Sequence, residues 1–179
     1  LDYLQHFKMH LADVSETRPG IVHRLDKMTE GLMVVAKTVK AFEALKEQFK
    51  QRTVIKKYYA VVKGDFSRDF CEITRPIGRH PSKRHLFVVR MDGKEAITHV
   101  TVLKRFNTKT LCDVEIKTGR THQIRVHLSD MGFPIINDSE YGPYKKSSSQ
   151  LLQSYYLSFS HPISNSRFSF EIPLSDRLK

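Results

Sequence analysis

Between residues 38 and 51 apolar side chains recur three or four positions apart. Val39, Phe42, Leu45 and Phe49 make one stripe, while Lys40, Glu43, Lys46, Glu47 and Lys50 fall on the other side. That spacing predicts an amphipathic helix lying on a core, with Thr38 as its N-cap. Leu4, Phe7 and Leu11 give residues 1–12 the same helical spacing. Residues 32–36 instead form an unbroken apolar run containing β-branched side chains, which predicts a buried strand. From Tyr58 the period shifts to two. YYAVVKG, HLFVVRM, AITHVTVLKRF, TLCDVEIKT, YYLSFSH and RFSFEIPL follow one another, separated by Pro, Gly, Asn and Ser. In the last of these Phe168, Phe170 and Ile172 face one way and Arg167, Ser169 and Glu171 the other, as in a half-buried strand. Residues 119–131 interrupt the β pattern, and Ile124, Val126, Leu128 and Met131 suit a short helix. The pattern predicts one α+β domain over residues 1–179, built on a mixed, largely antiparallel sheet with flanking helices.

Charge adds a partner to this picture. Thirty Lys and Arg against 19 Asp and Glu give a net charge of +11, an excess that draws phosphate polyanions to a surface and speeds encounter with them. No apolar stretch reaches 18 residues, so no membrane span is expected. Cys71 and Cys112 are too few for a disulfide framework and are expected to be reduced. A cytoplasmic location follows as the expectation, or an organelle if a transit peptide has been removed.

Three clusters carry candidate chemistry. In IVHRLDKMTEGLMVVAKT, Asp26 sits between Arg24 and Lys27, a few residues ahead of the apolar run. An isolated Asp after a turn is ordinarily a turn or capping residue. Near a core edge, however, a carboxylate needs a cation or donors to stay ionised, and held so it becomes a usable nucleophile. TGRTHQIRVH gathers Arg120, His122, Gln123, Arg125 and His127. The two arginines suit a buried carboxylate or a phosphate, or equally a solvated helix end. His122 and His127 stand five apart and share no helix face, which makes a poor metal site. RPIGRHPSKRH concentrates Arg75, Arg79, His80, Lys83, Arg84 and His85 on a proline-stiffened loop, better suited to a phosphate backbone than to a core. KKYYAVVKG puts Tyr58 and Tyr59 on opposite faces of a strand, one for the core and one to offer an aromatic face to a base. His6 and His10, four apart, have no third ligand nearby, so no metal is expected. The chain has no GxxxxGK[ST], GxGxxG, CxxC or GxSxG.

Taken in order, RPGIVHRLDKMTEGLMVVAKT, KKYYAVVKG, RPIGRHPSKR, KEAITHV, TGRTHQIRVHLSDMGFPI with YG following, and LSFSHP resemble the pseudouridine synthases of the RluA family, over nearly the whole chain. Two departures stand out. The family's Lys-Pro-x-Gly strand segment has no counterpart ahead of the first match, so an N-terminally truncated domain is expected, without an S4-like RNA-binding domain. Asn137 stands where the family often has Gly, at a turn whose left-handed geometry Asn tolerates.

The resemblance implies isomerisation of specific uridines to pseudouridine in ribosomal RNA or tRNA by a flipped-base mechanism, with RNA as partner, no DNA, a monomeric enzyme and no cofactor. It makes Asp26 the nucleophile, Tyr58 the residue stacked on the target base and an aid to proton removal from C5, and Arg125 the ion-pair partner of Asp26, with Arg120 the second choice. Arg24 is expected to fill the space left by the flipped base or to hold a phosphate. Arg79, Lys83, Arg84, Arg120 and His122 are expected to contact RNA.

Overall fold

The structure, a computed structural model, describes residues 11–14, 19–144 and 149–179. The helix expected over residues 1–12 therefore falls almost wholly outside the described residues, as do His6 and His10. The strands are β1 (Glu30–Gly31), β2 (Ile55–Lys63), β3 (Phe70–Ile73), β4 (Ile77–Arg79), β5 (Phe87–Val89), β6 (Thr98–Arg105), β7 (Lys109–Ile116), β8 (Leu152–Ser160) and β9 (Arg167–Glu171). The helices are α1 (Val39–Lys50) and α2 (Gln123–Asp130). A mixed sheet runs β1-β8-β2-β7-β6-β3, with β9 also pairing to β8, and β4 and β5 form a separate hairpin. Every pairing is antiparallel except the short β1–β8 contact, which is parallel. The α+β architecture expected from the sequence is the one observed.

Strand β2 sits at the centre because its residues alternate between two buried faces. Tyr58, Ala60 and Val62 pack toward α2 with Val100, Cys112, Val114, Ile124 and Leu128. Val61 packs on the other face with Leu111 and Leu178, and Tyr59 stacks there on Tyr155 with ring centroids 3.7 Å apart. A strand covered on both sides cannot slip by one residue without exposing one apolar set and burying the other, which fixes the register of everything attached to it.

Helix α1 begins as expected, with the Thr38 hydroxyl accepting from the Ala41 N–H at 3.2 Å. Leu45 is its buried residue, but Val39 is left largely exposed. Three other expectations are corrected. The run at 32–36 is not a regular strand. Leu32 donates its N–H to Ser154, Val35 makes an isolated bridge to Ile21, and Ala36 donates to Gly20 while its carbonyl accepts from Ala12. Its backbone partners thus belong to three places, and no single neighbour extends the ladder. Strand β9 is exposed along its whole length, with Phe168 and Phe170 open to solvent. It pairs only with β8, and among the described residues no layer covers its apolar face. Finally, the RPIGRHPSKRH loop is half strand: β4 takes residues 77–79 and only the turn beyond is irregular.

Candidate active site

Gly31 fixes the chain that carries Asp26. Its φ is +116°, and a Cβ there would lie 2.1 Å from the Ser154 carbonyl oxygen. Only a bare backbone can therefore pair with β8 at this point. Ser154 in turn faces Tyr58 across the β2–β8 ladder, so the 26–29 turn is pinned beside Tyr58. The turn closes with the Thr29 N–H donating to the Asp26 carbonyl at 2.9 Å. His23 clamps its other end. Its Nε2 accepts from the Val34 N–H at 3.0 Å, and its ring stacks on Phe49 at 4.7 Å. Burial first, and the Lys56 charge second, push the His23 imidazole down to about 4, so it is neutral and a good acceptor.

Across the cleft, Gln123 locks the turn that starts α2. Its Oε1 accepts from the Thr118 hydroxyl at 2.7 Å and from the Arg120 N–H at 2.9 Å, while its Nε2 donates to the Ile97 carbonyl and Thr98 Oγ1. The helix then presents Arg125 inward, 6% exposed. This one guanidinium serves three carboxylates. It makes a two-pronged pair with Asp138, Nε to Oδ2 at 2.7 Å and Nη2 to Oδ1 at 2.8 Å. It also reaches Glu140 at 2.6 Å and Asp26 at 3.3 Å. Burial opposes its charge, but the Asp138 and Glu140 carboxylates more than compensate and hold Arg125 above its usual range. The backbone here is shaped by Asn137, left-handed at φ 66°.

His122 caps α2 in a left-handed conformation and closes a short chain of hydrogen bonds. The Phe87 N–H donates to the Tyr141 hydroxyl at 2.9 Å, and that hydroxyl shares a hydrogen bond with His122 Nδ1 at 2.7 Å. Burial pushes the Tyr141 phenol up to about 12, so it keeps its proton. His122 Nε2 lies 4.0 Å from Asp26 Oδ1. Burial holds the imidazole below its usual range against the pull of Asp26. Tyr58 is 7% exposed. Burial, reinforced by the Asp26 charge and opposed by a hydrogen bond with Ser154, pushes its phenol up to about 12.

Of these groups His23, Asp26, Tyr58, His122, Gln123 and Arg125 line a cleft of about 530 Å³. Seven lysines and arginines face it, Arg24, Lys50, Arg52, Lys56, Lys117, Arg120 and Arg125, against a single carboxylate, Asp26, among the described residues. A second groove of about 430 Å³ continues past residues 119–121 along β4, with Arg79, Lys94 and Arg120 on its walls.

The structure thus gathers Asp26, Tyr58, Arg125, His122, Arg120 and exposed Arg24 around one cleft. Arg120 does not pair with Asp26; its Nε donates to the Glu95 carbonyl at 2.8 Å. Arg79 lies over the Phe87 ring at 5.4 Å in the adjoining groove. Lys83 and Arg84 are exposed on the β4–β5 turn, outside both cavities. Sequence reasoning missed Asp138, Glu140, Tyr141 and Lys56. The acidic pair in NDSEYG, just beyond an arginine-bearing helix, was the available signal for the first two. Among the described residues no three His, Cys, Asp or Glu side chains gather as a metal site requires.

A family model described as RNA pseudouridylate synthase matches residues 6–130. An uncharacterized RNA pseudouridine synthase of Bacillus subtilis, YlyB, is 47% identical over 161 residues, covering 89% of this chain and 53% of that protein. Ribosomal large subunit pseudouridine synthase D of Nitrosomonas europaea is 43% identical over 178 residues, covering 93% and 52%. Among solved structures, human RNA pseudouridylate synthase domain containing 1 superposes with a TM-score of 0.78 at 26% identity, covering 88% of this chain and 71% of that one. The chain spans about half the length of the curated relatives it matches.

Proposed function

Since the chain belongs to the RNA pseudouridylate synthase family, we propose that its cleft isomerises uridine to pseudouridine in structured RNA, with Asp26 as nucleophile. The observation that carries this reading is the lone carboxylate, Asp26, in a cleft otherwise ringed by cations and backed by Tyr58. Cations gather phosphates, and one carboxylate among them is left to do covalent chemistry.

The reaction balances without a cofactor. The bond from C1′ to N1 breaks, a bond from C1′ to C5 forms, and the proton lost from C5 is matched by one gained at N1. To expose C1′ and the ring, the uridine must leave its stack, at a cost of a few kcal/mol recovered in the cleft. The Asp26 carboxylate supplies the electron pair for the covalent step. Arg125 donates to that carboxylate at 3.3 Å. With its phenol pushed up to about 12, Tyr58 stays protonated at neutral pH and offers its ring to the base rather than acting as the resting proton acceptor. Arg24 and Arg120, at the cleft, and Arg79, Lys83 and Arg84, beyond it, take phosphates of the surrounding RNA. Ribosomal RNA is favoured over tRNA as the substrate, because three of the relatives at 42–43% identity are named for the ribosomal large subunit. The enzyme is proposed to act as a monomer in a reducing compartment, which its two free, buried cysteines support.

The test is chemical mapping of pseudouridine in large-subunit ribosomal RNA incubated with the purified protein. The wild type forms it and Asp26→Ala does not, while RNA binding persists. Pseudouridine formed by Asp26→Ala would overturn the assignment, and a wild type that binds RNA without modifying it would favour an RNA-binding relative.

A further inference from the structure

We propose that Lys56 and the bare backbone at Gly119 form the seat of the phosphodiester adjoining the target uridine, an inference that rests on the reading of the cleft as a uridine site. Lys56 is 9% exposed and lines the cleft. Among the described residues it makes no hydrogen bond and no ion pair. The group nearest to a partner is the Phe49 ring, 5.8 Å from Nζ, and the neighbouring charge is Arg52, a like charge already paired with Glu95 at 2.7 Å. A buried ammonium without an anion is costly, and here the neighbouring Arg52 charge makes it worse.

The space beside it is kept open by a glycine that the fold does not need. Gly119 has no positive φ, and a Cβ built on it would meet only one atom within 4 Å, Lys56 Nζ at 3.9 Å. Neither backbone strain nor packing demands glycine at this point. What its absent side chain leaves is a gap against the unpaired ammonium. Lys56 also stands two residues before Tyr58 on β2, and both side chains are buried on the same face of that strand. Alternate residues of a strand are about 7 Å apart. A base resting on Tyr58 therefore has its own sugar-phosphate within reach of Lys56, while Asp26 addresses the sugar between. Burial, and then the Arg52 charge, push the ammonium down to about 8; it remains largely charged at neutral pH, and an arriving phosphate restores what burial removed.

The test uses uridine 3′,5′-bisphosphate and uridine as probes, with affinities read by NMR titration of the whole protein. The wild type is expected to prefer the bisphosphate by about tenfold or more. Lys56→Met should lose most of that preference, Lys56→Arg should keep much of it, and Gly119→Ala should weaken the bisphosphate without lowering the melting temperature. Lys117→Met, which removes a cation paired with Glu115 at the same cleft, should change the preference far less. Melting temperatures report on folding, and a structural role for Lys56 would lower that of Lys56→Met, whereas release of a buried unpaired charge leaves it equal or higher. Equal binding of the two probes by the wild type, or an undiminished preference in Lys56→Met, would overturn the proposal. Failure to form pseudouridine in RNA would count against the catalytic reading alone, because the nucleotide titration does not depend on turnover.

Discussion

Asparagine at position 138 should harm the fold more than asparagine at position 26, although only the second is proposed to touch the reaction. The Asp138 side chain is fully buried. Its Oδ2 accepts from Arg125 Nε, and its Oδ1 accepts from Arg125 Nη2, the Glu140 N–H at 3.0 Å and the Tyr141 N–H at 3.1 Å. In Asp138→Asn, whichever oxygen becomes NH₂ then points a donor at donors. Breaking one side of a buried pair costs about 3–5 kcal/mol. Glu140 and Asp26 still hold the guanidinium, so the lower end applies, about 3 kcal/mol. For a chain of this length that is a fall of roughly 6–12 °C in melting temperature. Asp26, by contrast, makes one contact with Arg125, at 3.3 Å, and is 18% exposed. Three carboxylates around one guanidinium also repel one another, and neutralising Asp26 relieves part of that. Asp26→Asn should therefore keep its stability within about 1 kcal/mol of wild type while losing turnover. Circular dichroism melts at neutral pH, paired with single-turnover pseudouridine formation, measure both. Equal destabilisation by the two substitutions, or an Asp138→Asn protein melting within 2 °C or so of wild type, would refute the argument that Arg125 is anchored mainly by Asp138.

Three further outcomes follow from buried groups around the cleft. With its folded value lowered from 10.5 to about 8, Lys56 is protonated more readily in the unfolded chain, so stability should rise with pH across that window. Lys56→Met should then exceed wild type by about 1–3 kcal/mol at pH 7, with the gap closing near pH 10 in urea unfolding; a gap that widens would be inconsistent with an unpaired buried ammonium. His23, lowered to about 4, works in the acid range: the unfolded chain takes the proton first, so stability should fall from about pH 6.5 to pH 4, and His23→Gln should flatten that decline in the same experiment. Gly31→Ala drives a Cβ into the Ser154 carbonyl and should cost at least about 2 kcal/mol in melting experiments, whereas Gly64→Ala, at φ +87° but with nothing nearer than 3.9 Å, should cost only the backbone strain, about 1 kcal/mol.

What the sequence made legible was local period and ordered motif. The spacing of Phe42, Leu45 and Phe49 and the Thr38 cap located α1 to within a residue, and the alternation at Tyr58 and Tyr59 put them on opposite faces of β2. The run at 32–36 misled because hydrophobicity reports burial, whereas a strand needs one continuous neighbour, and residues 12, 20 and 154 share that task. Strand β9 misled in the opposite sense: its alternation is that of a half-buried strand, but nothing in a period says whether the apolar side finds a covering layer. Lys56 was invisible for a related reason. Its type and position are printed in KKYYAVVKG, yet the absence of an anion beside it is a property of the folded neighbourhood only.

The Arg125–Asp26 pairing shows how far motif order reaches and where it stops. HRLD and QIRVH brought the two residues together across about a hundred positions, and the structure places them 3.3 Å apart. The same contact is nevertheless the longest of the four that Arg125 makes to carboxylates. The two contacts to Asp138 rest on a carboxylate that backbone donors fix in turn, so the guanidinium is held whether or not Asp26 is engaged. A nucleophile must leave its counter-ion to form a bond, and a cation anchored elsewhere can stay in place while it does so. Asp26, the carboxylate of the three that faces the cleft and the one held by a single long contact, has the freedom that the covalent step proposed for it would demand.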